Sequence, residues 1–315
     1  MFLTAGVVAS GCGTHEQRPG SGSPDADAFL ARYVTSDGRV LRHDQGNDIV
    51  SEGQAYGMLI AEIANRPSTV RTIWSWTKAH MQRPDGLLIS HLSRSAAVQD
   101  SQPAADADTL AAYALLRYSG EDEDMLHDAG RRLAAAVLGA ESTMLSGAPL
   151  PLAGPWAKAI SPPVVNPSYW MPAVFAALGR FTGNDGWRAA AASATDLLAQ
   201  LTDNGRLLPT DWAQLADGRL AAIPHPQGNA PIQYGLDAAR LPVWLGTACT
   251  ADARLLAAHW WSILSGKDRA AALALTPRGG LINRETNPLP FVAAATAARA
   301  ADDEAASRAL QDRAA

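Results

Sequence analysis

Apolar residues recur along this chain at helical rather than strand spacing. Behind Ser51, the residues Tyr56, Leu59, Ile60 and Ile63 stand at i, i+3, i+4 and i+7, so a helix begins there with one apolar face. Ser51 and Gln54 have the form of a capping box, in which hydroxyl and amide each satisfy a backbone N–H at the helix start. The same spacing in Val70, Ile73, Trp74, Thr77 and Met81 predicts a helix over residues 68–81, stopped by Pro84-Asp85-Gly86. Further helices are predicted over residues 25–33, 106–118, 121–138, 169–181, 187–201, 236–246, 251–265 and from Phe291 onward. Asn166-Pro167-Ser168 supplies a cap and first turn for the helix at Tyr169. Residues 87–103, 139–165 and 210–235 read as loops, the last with a short hairpin through Ala221.

No segment sustains period-two patterning, so the fold class is all-α. Connections within helix pairs are short, while those before certain helices are long and rich in Trp, Pro and Asp. That asymmetry suits a closed ring of helical hairpins with functional loops gathered at one end. A solenoid or irregular bundle has the same periodicity, and no fixed-length repeat separates the three.

Composition narrows the partners. The 315 residues are 47% hydrophobic and 18% charged, which excludes a disordered chain and allows a large core. A net charge of -5 with no basic block leaves no electrostatic footprint for nucleic acid or an anionic membrane surface. A neutral or polar partner fits better. The seven histidines are scattered and Cys12 and Cys249 have no ligand-spaced companions, so no metal or other cofactor is expected. Residues 1–12 form a short apolar run ending in small residues before Cys12, which resembles a bacterial lipoprotein signal with Cys12 as the acylated residue. The expectation is an exported protein, lipid-anchored or secreted, with a flexible tether over residues 13–27 and one domain from 28 to 315. Cys249 would then remain as a lone thiol, buried as free cysteines usually are.

Three places put carboxylates at or near the start of an apolar helix: Glu52, the pair Asp106 and Asp108, and Asp237. Each alone has a plain structural reading, as a helix-dipole partner, an N-cap, or an ion pair with Arg240. If the helices form a ring, their starts converge on one cleft. Mutual repulsion can then raise one pKa into the range of a general acid.

The residues Ser-Glu-Gly-Gln-Ala-Tyr-Gly-Met at 51–58 resemble the general-acid motif of bacterial glycoside hydrolase family 8. Ala104-Ala105-Asp106-Ala107-Asp108 followed by Ala112-Tyr113-Ala114-Leu115-Leu116 is similar to its second signature, and Asn166-Pro167-Ser168-Tyr169 and Asp237-Ala238-Ala239-Arg240 follow in family order. The resemblance implies an (α/α)6 barrel and inverting, endo-acting hydrolysis of β-1,4-glycosidic bonds in a glucan such as cellulose. Glu52 would be the acid, Asp237 the base on water, and Asp106 the group that binds the cleaved sugar and stabilises the transition state. Asp108, Tyr169, Trp212 and Arg240 are expected to bind the polysaccharide, Tyr169 and Trp212 through ring stacking on pyranose faces. The chain is expected to be a monomer. Ala105, Ala111 and Leu236 depart from the family pattern, the last where Tyr is common. A chitosanase, a mixed-linkage glucanase and a catalytically silent glycan-binding lipoprotein stand as alternatives.

Overall fold

The computed structural model describes residues 23–145 and 147–314. The signal segment and Cys12 lie outside them. Of the expected tether, residues 24–27 belong to the first helix, α1 (Pro24–Tyr33).

Ten further α-helices follow among the described residues: α2 (Ser51–Ile63), α3 (Pro67–His80), α4 (Ala105–Arg117), α5 (Glu123–Ala140), α6 (Pro172–Thr182), α7 (Asp185–Leu201), α8 (Arg240–Gly246), α9 (Ala251–Leu264), α10 (Pro288–Ala300) and α11 (Glu304–Ala314). They pack as antiparallel pairs, α2 with α3, α4 with α5, α6 with α7, α8 with α9, and α10 with α11. The first member of each pair also packs on the next first member, α2 on α4, α4 on α6, α6 on α8, and α8 on α10. These five helices therefore form an inner ring. Helix α1 packs on α2, and Phe29 shares one cleft with Leu59 and Ile60 of α2 and Val292 of α10, which closes the ring as the expected (α/α)6 barrel.

The residue pattern explains which helices lie inside. Every residue of α10 from Leu289 to Ala298 is buried, as is every residue of α4 from Ala105 to Ala112. Helices enclosed on all sides need small or apolar side chains all round; alanines supply them here and let inner and outer helices approach closely. Helix α5 buries only one stripe, Leu126, Ala129, Gly130, Leu133, Ala134 and Val137, as an outer helix with a solvent face should.

Three local expectations are corrected. The capping box at Ser51 does not form: the N-cap is Val50 and no side chain caps the helix. Ser51 N–H donates instead to the Ser90 carbonyl. Gln54 is fully buried, accepting from Val40 N–H at 2.6 Å and donating to the Gly38 carbonyl and Thr77 Oγ1. A fully buried amide must find partners wherever it points, and tertiary partners win here. The second correction concerns the loops, which hold short strands. Of these, β1 (Ile49–Val50), β2 (His91–Leu92) and β3 (Val98–Asp100) form one small sheet beside the start of α2. None of the strands among the described residues exceeds six residues, too short to sustain a period-two pattern. Cys249, expected to be buried, is exposed in the turn between α8 and α9 and is not a free thiol.

Candidate active site

The starts of the inner helices converge at one end of the ring. Glu52 is the second residue of α2 and Asp106 the second of α4. Asp237 lies in the turn just before α8, whose first residue is Arg240. Sequence periodicity had placed Asp237 inside that helix. The helix instead begins three residues later, at Arg240, and the turn leaves the Asp237 side chain free to reach the cleft.

Arg240 joins the three acids. Its Nη1 donates to Glu52 Oε1 at 2.7 Å and to Asp106 Oδ2 at 2.8 Å. Its Nη2 donates to Asp237 Oδ1 at 3.1 Å and to Ser168 Oγ at 2.7 Å. Tyr169 places its ring 5.3 Å from the guanidinium carbon. A planar fork of donors can hold several carboxylates at fixed spacing, which a lysine ammonium cannot. Glu52 and Asp237 hang on different nitrogens, so the width of the fork holds them apart.

A second set of contacts fixes Asp237. Asn166 Nδ2 donates to Asp237 Oδ2 at 2.8 Å, and Asn166 Oδ1 accepts from Ser168 N–H and Oγ–H. Asn166 therefore caps a 3-10 turn over Pro167–Tyr169, while α6 starts later, at Pro172. Asp211, which the sequence reading passed over, holds the turn from below. Its Oδ1 accepts from Gly235 N–H and Ala238 N–H, both at 2.9 Å, and its Oδ2 accepts from Gln233 Nε2. A Cβ at Gly235 would stand 2.3 Å from Asp211 Oδ2, so a larger residue there would push the Asp211 carboxylate aside. The sequence signal available was an Asp in a loop beside Trp212, which is not distinctive.

Burial and charge set the proton affinities. Glu52 is 38% exposed at the cleft wall, and its pKa rises to about 7. Removal from water is the largest cause, Arg240 opposes it, and the neighbouring Asp106 and Asp237 add to it. Asp106, 4% exposed, is also raised by burial, against the pull of Arg240 and of the Ala107 N–H that donates to its Oδ1. Three acids share one guanidinium, so full ionisation would leave the cluster net negative, and one retained proton relieves it. This resolves a conflict at Glu52, where the helix start favours the charged form and burial outweighs it.

The cleft has a volume of about 690 Å3 and is lined by Glu52, Asp106, Asp237, Arg240, Tyr56 and Tyr169 among others. Leu236, 39% exposed, also lines it. So do Arg42 and His91, which share Asp48: Arg42 Nε donates to Asp48 Oδ1 at 2.8 Å and His91 Nε2 lies 2.7 Å from Asp48 Oδ2.

Two expected substrate contacts lie elsewhere. The Asp108 side chain is fully buried on the far side of α4, accepting from Leu88 N–H at 3.0 Å, and does not line the cleft. Trp212 is buried against Trp156 and His225, with ring centroids 6.0 and 5.0 Å away, and is not in the cleft wall. Trp244 of α8 lines the cleft.

Comparison with known proteins bears on the family and the fold. The sequence model for glycosyl hydrolases family 8 matches residues 16–260. Among curated proteins, an endoglucanase of Cellulomonas uda is 28% identical over 225 residues, covering 70% of this chain and 62% of that protein. An endoglucanase of Pseudomonas fluorescens is 29% identical over 271 residues, covering 79% and 65%. The chain thus spans somewhat less than two thirds of the length of these relatives. Among solved structures, a family 8 endoglucanase from Klebsiella pneumoniae superposes with a TM-score of 0.76 at 23% identity, over 93% of this chain and 98% of that one. A β-1,3-1,4-glucanase from Paenibacillus gives 0.77 at 19% identity, over 90% and 82%.

Proposed function

The chain belongs to glycosyl hydrolase family 8, and from that premise we propose that it is an endo-β-1,4-glucanase that cuts with inversion. The observation that carries this reading is the binding of Glu52, Asp106 and Asp237 by the one guanidinium of Arg240 in an open cleft, with Glu52 holding a proton near neutral pH.

Glu52 donates its proton to the glycosidic oxygen as the bond to the anomeric carbon breaks. Asp237 takes a proton from a water that attacks the opposite face of the ring. At the end Glu52 is ionised and Asp237 protonated, and exchange with solvent resets both. An inverting pair needs a gap of roughly 6.5–9.5 Å between carboxyls to admit that water, and Glu52 and Asp237 hang on different nitrogens of the fork. Asp106, buried and hydrogen-bonded to Arg240, faces the positive charge that develops on the cleaved sugar. A fixed negative group that is itself shielded from water stabilises that charge far more than one in bulk solvent would. Tyr169 stacks on Arg240 and lines the cleft, offering a ring face to the pyranose.

The test is reducing-end release from carboxymethyl-cellulose, mixed-linkage β-glucan and chitosan by wild type and Glu52→Gln, with the product anomer read by NMR. Cutting of the β-1,4-glucan with an inverted anomer, lost in the variant, is the expected result. A retained anomer would remove the inverting assignment, preference for another polymer would correct the substrate, and binding without cutting would favour a silent glycan-binding protein.

A further inference from the structure

A second pair of acids lies inside the barrel wall, away from the cleft. Asp108 on α4 and Glu141, the residue that ends α5, are both 0% exposed. Asp108 Oδ1 accepts from Leu88 N–H, but Asp108 Oδ2 and both Glu141 carboxyl oxygens have no protein donor. The two carboxyls lie within hydrogen-bonding reach of each other. Two carboxylates cannot bond without a proton between them. The other charged groups acting on them are Asp106, Asp85 and Arg83. Arg83 is committed elsewhere, to Asp85 and to the Ser101 carbonyl. Among the described residues, no cation therefore does for this pair what Arg240 does in the cleft.

The surrounding backbone links the pair to the catalytic acids. Asp108 holds Leu88, two residues before Ser90. The Ser90 carbonyl accepts Ser51 N–H at the start of α2, and Ser90 N–H donates to the Gln102 carbonyl just ahead of α4. The Glu141 carbonyl accepts Leu152 N–H, and the adjacent Ala153 carbonyl accepts Ala105 N–H, one residue before Asp106. We propose that Asp108 and Glu141 share one proton and, through this closed set of bonds, act as positioning residues that hold the first turns of α4 and α2, and so Asp106 and Glu52, in register.

Burial raises both pKa values well above the ordinary carboxylate range, each acid adding to or withstanding its neighbours' negative charge. The linkage follows: above an unfolded carboxyl pKa of about 4.3 the folded chain holds a proton the unfolded chain has lost, so stability declines as pH rises. That decline continues until the folded pair releases its proton.

The experiment compares wild type, Glu141→Gln and Glu141→Leu in the full chain. Glutamine keeps the shape and donates an N–H to Asp108 at any pH, whereas leucine leaves the buried Asp108 Oδ2 without a partner. Melting temperature is followed from about pH 5 to about pH 9, with the protonated-carboxyl C=O band in the infrared difference spectrum, wild type minus Glu141→Gln. The expected results are that band at neutral pH and a flatter Tm–pH slope in Glu141→Gln. On the polymer that wild type cuts, kcat should fall about tenfold in Glu141→Leu at little change in KM and recover to within about twofold in Glu141→Gln. No infrared band together with equal slopes would overturn the shared proton, and wild-type kcat in Glu141→Leu would overturn the positioning role. The kinetic part rests on the proposed hydrolase activity. If wild type cuts nothing, that activity fails, while the band and the slopes still decide the pair.

Discussion

Asp106 and Asp108 stand two residues apart on the same helix and live in opposite surroundings. At 3.6 residues per turn they point about 200° apart, one into the cleft and the other into the wall. Both are buried and both hold protons more tightly than a free carboxyl. The difference is the cation. Asp106 meets Arg240, which also reaches Glu52 and Asp237, and the result is a cluster whose protons can be exchanged during a reaction. Asp108 meets only Leu88 N–H and a second acid. In the proposed mechanism the same residue type is a working group on one face of α4 and an internal strut on the other.

The largest effect should come from Glu52→Gln, which removes the transferable proton while keeping shape. Its kcat should fall about 10²–10⁴-fold with Tm little changed, measured by reducing-end release and thermal unfolding. Arg240→Met abolishes the contrast itself, since three acids then share a pocket without a cation. Leaving buried charge unpaired costs about 3–5 kcal/mol, so denaturant titration near neutral pH should show that loss together with loss of turnover. Asp211→Ala leaves Arg240 in place but frees the turn that carries Asp237. Its kcat should drop about tenfold to a hundredfold at nearly constant KM, as expected when a catalytic group is misplaced rather than removed. The smallest effect sharpens the contrast: Asp108→Asn, whose amide can donate to Glu141, should keep kcat within about twofold, whereas Asp106→Asn should lose far more.

The sequence carried much of this picture and missed the rest for identifiable reasons. Helix positions were legible because inner and outer helices alike repeat apolar residues at helical spacing, and Glu52, Asp106 and Asp237 were legible through their motifs. Gln54 was misread because its partners Val40, Gly38 and Thr77 are distant in sequence and a local cap was the nearest explanation. Asp108 and Trp212 were misplaced because adjacency to a motif or to a loop does not fix which way a side chain points. Arg240 had been read as a substrate contact. Its position at the centre of three acids became visible only with the ring closed. Asp211, Asn166 and Glu141 act through backbone and side-chain contacts across long sequence separations, for which a single sequence offers no spacing rule.

The central claim is that Glu52 keeps its proton up to about neutral pH because it is partly withdrawn from water and stands among other acids. The most direct measurement is the pH dependence of kcat/KM for wild type on the polymer it cuts. A group protonated below its pKa can donate only there, so the account predicts an alkaline limb with its midpoint at about 7. A profile with no alkaline limb, its rate sustained well above that midpoint, would contradict it.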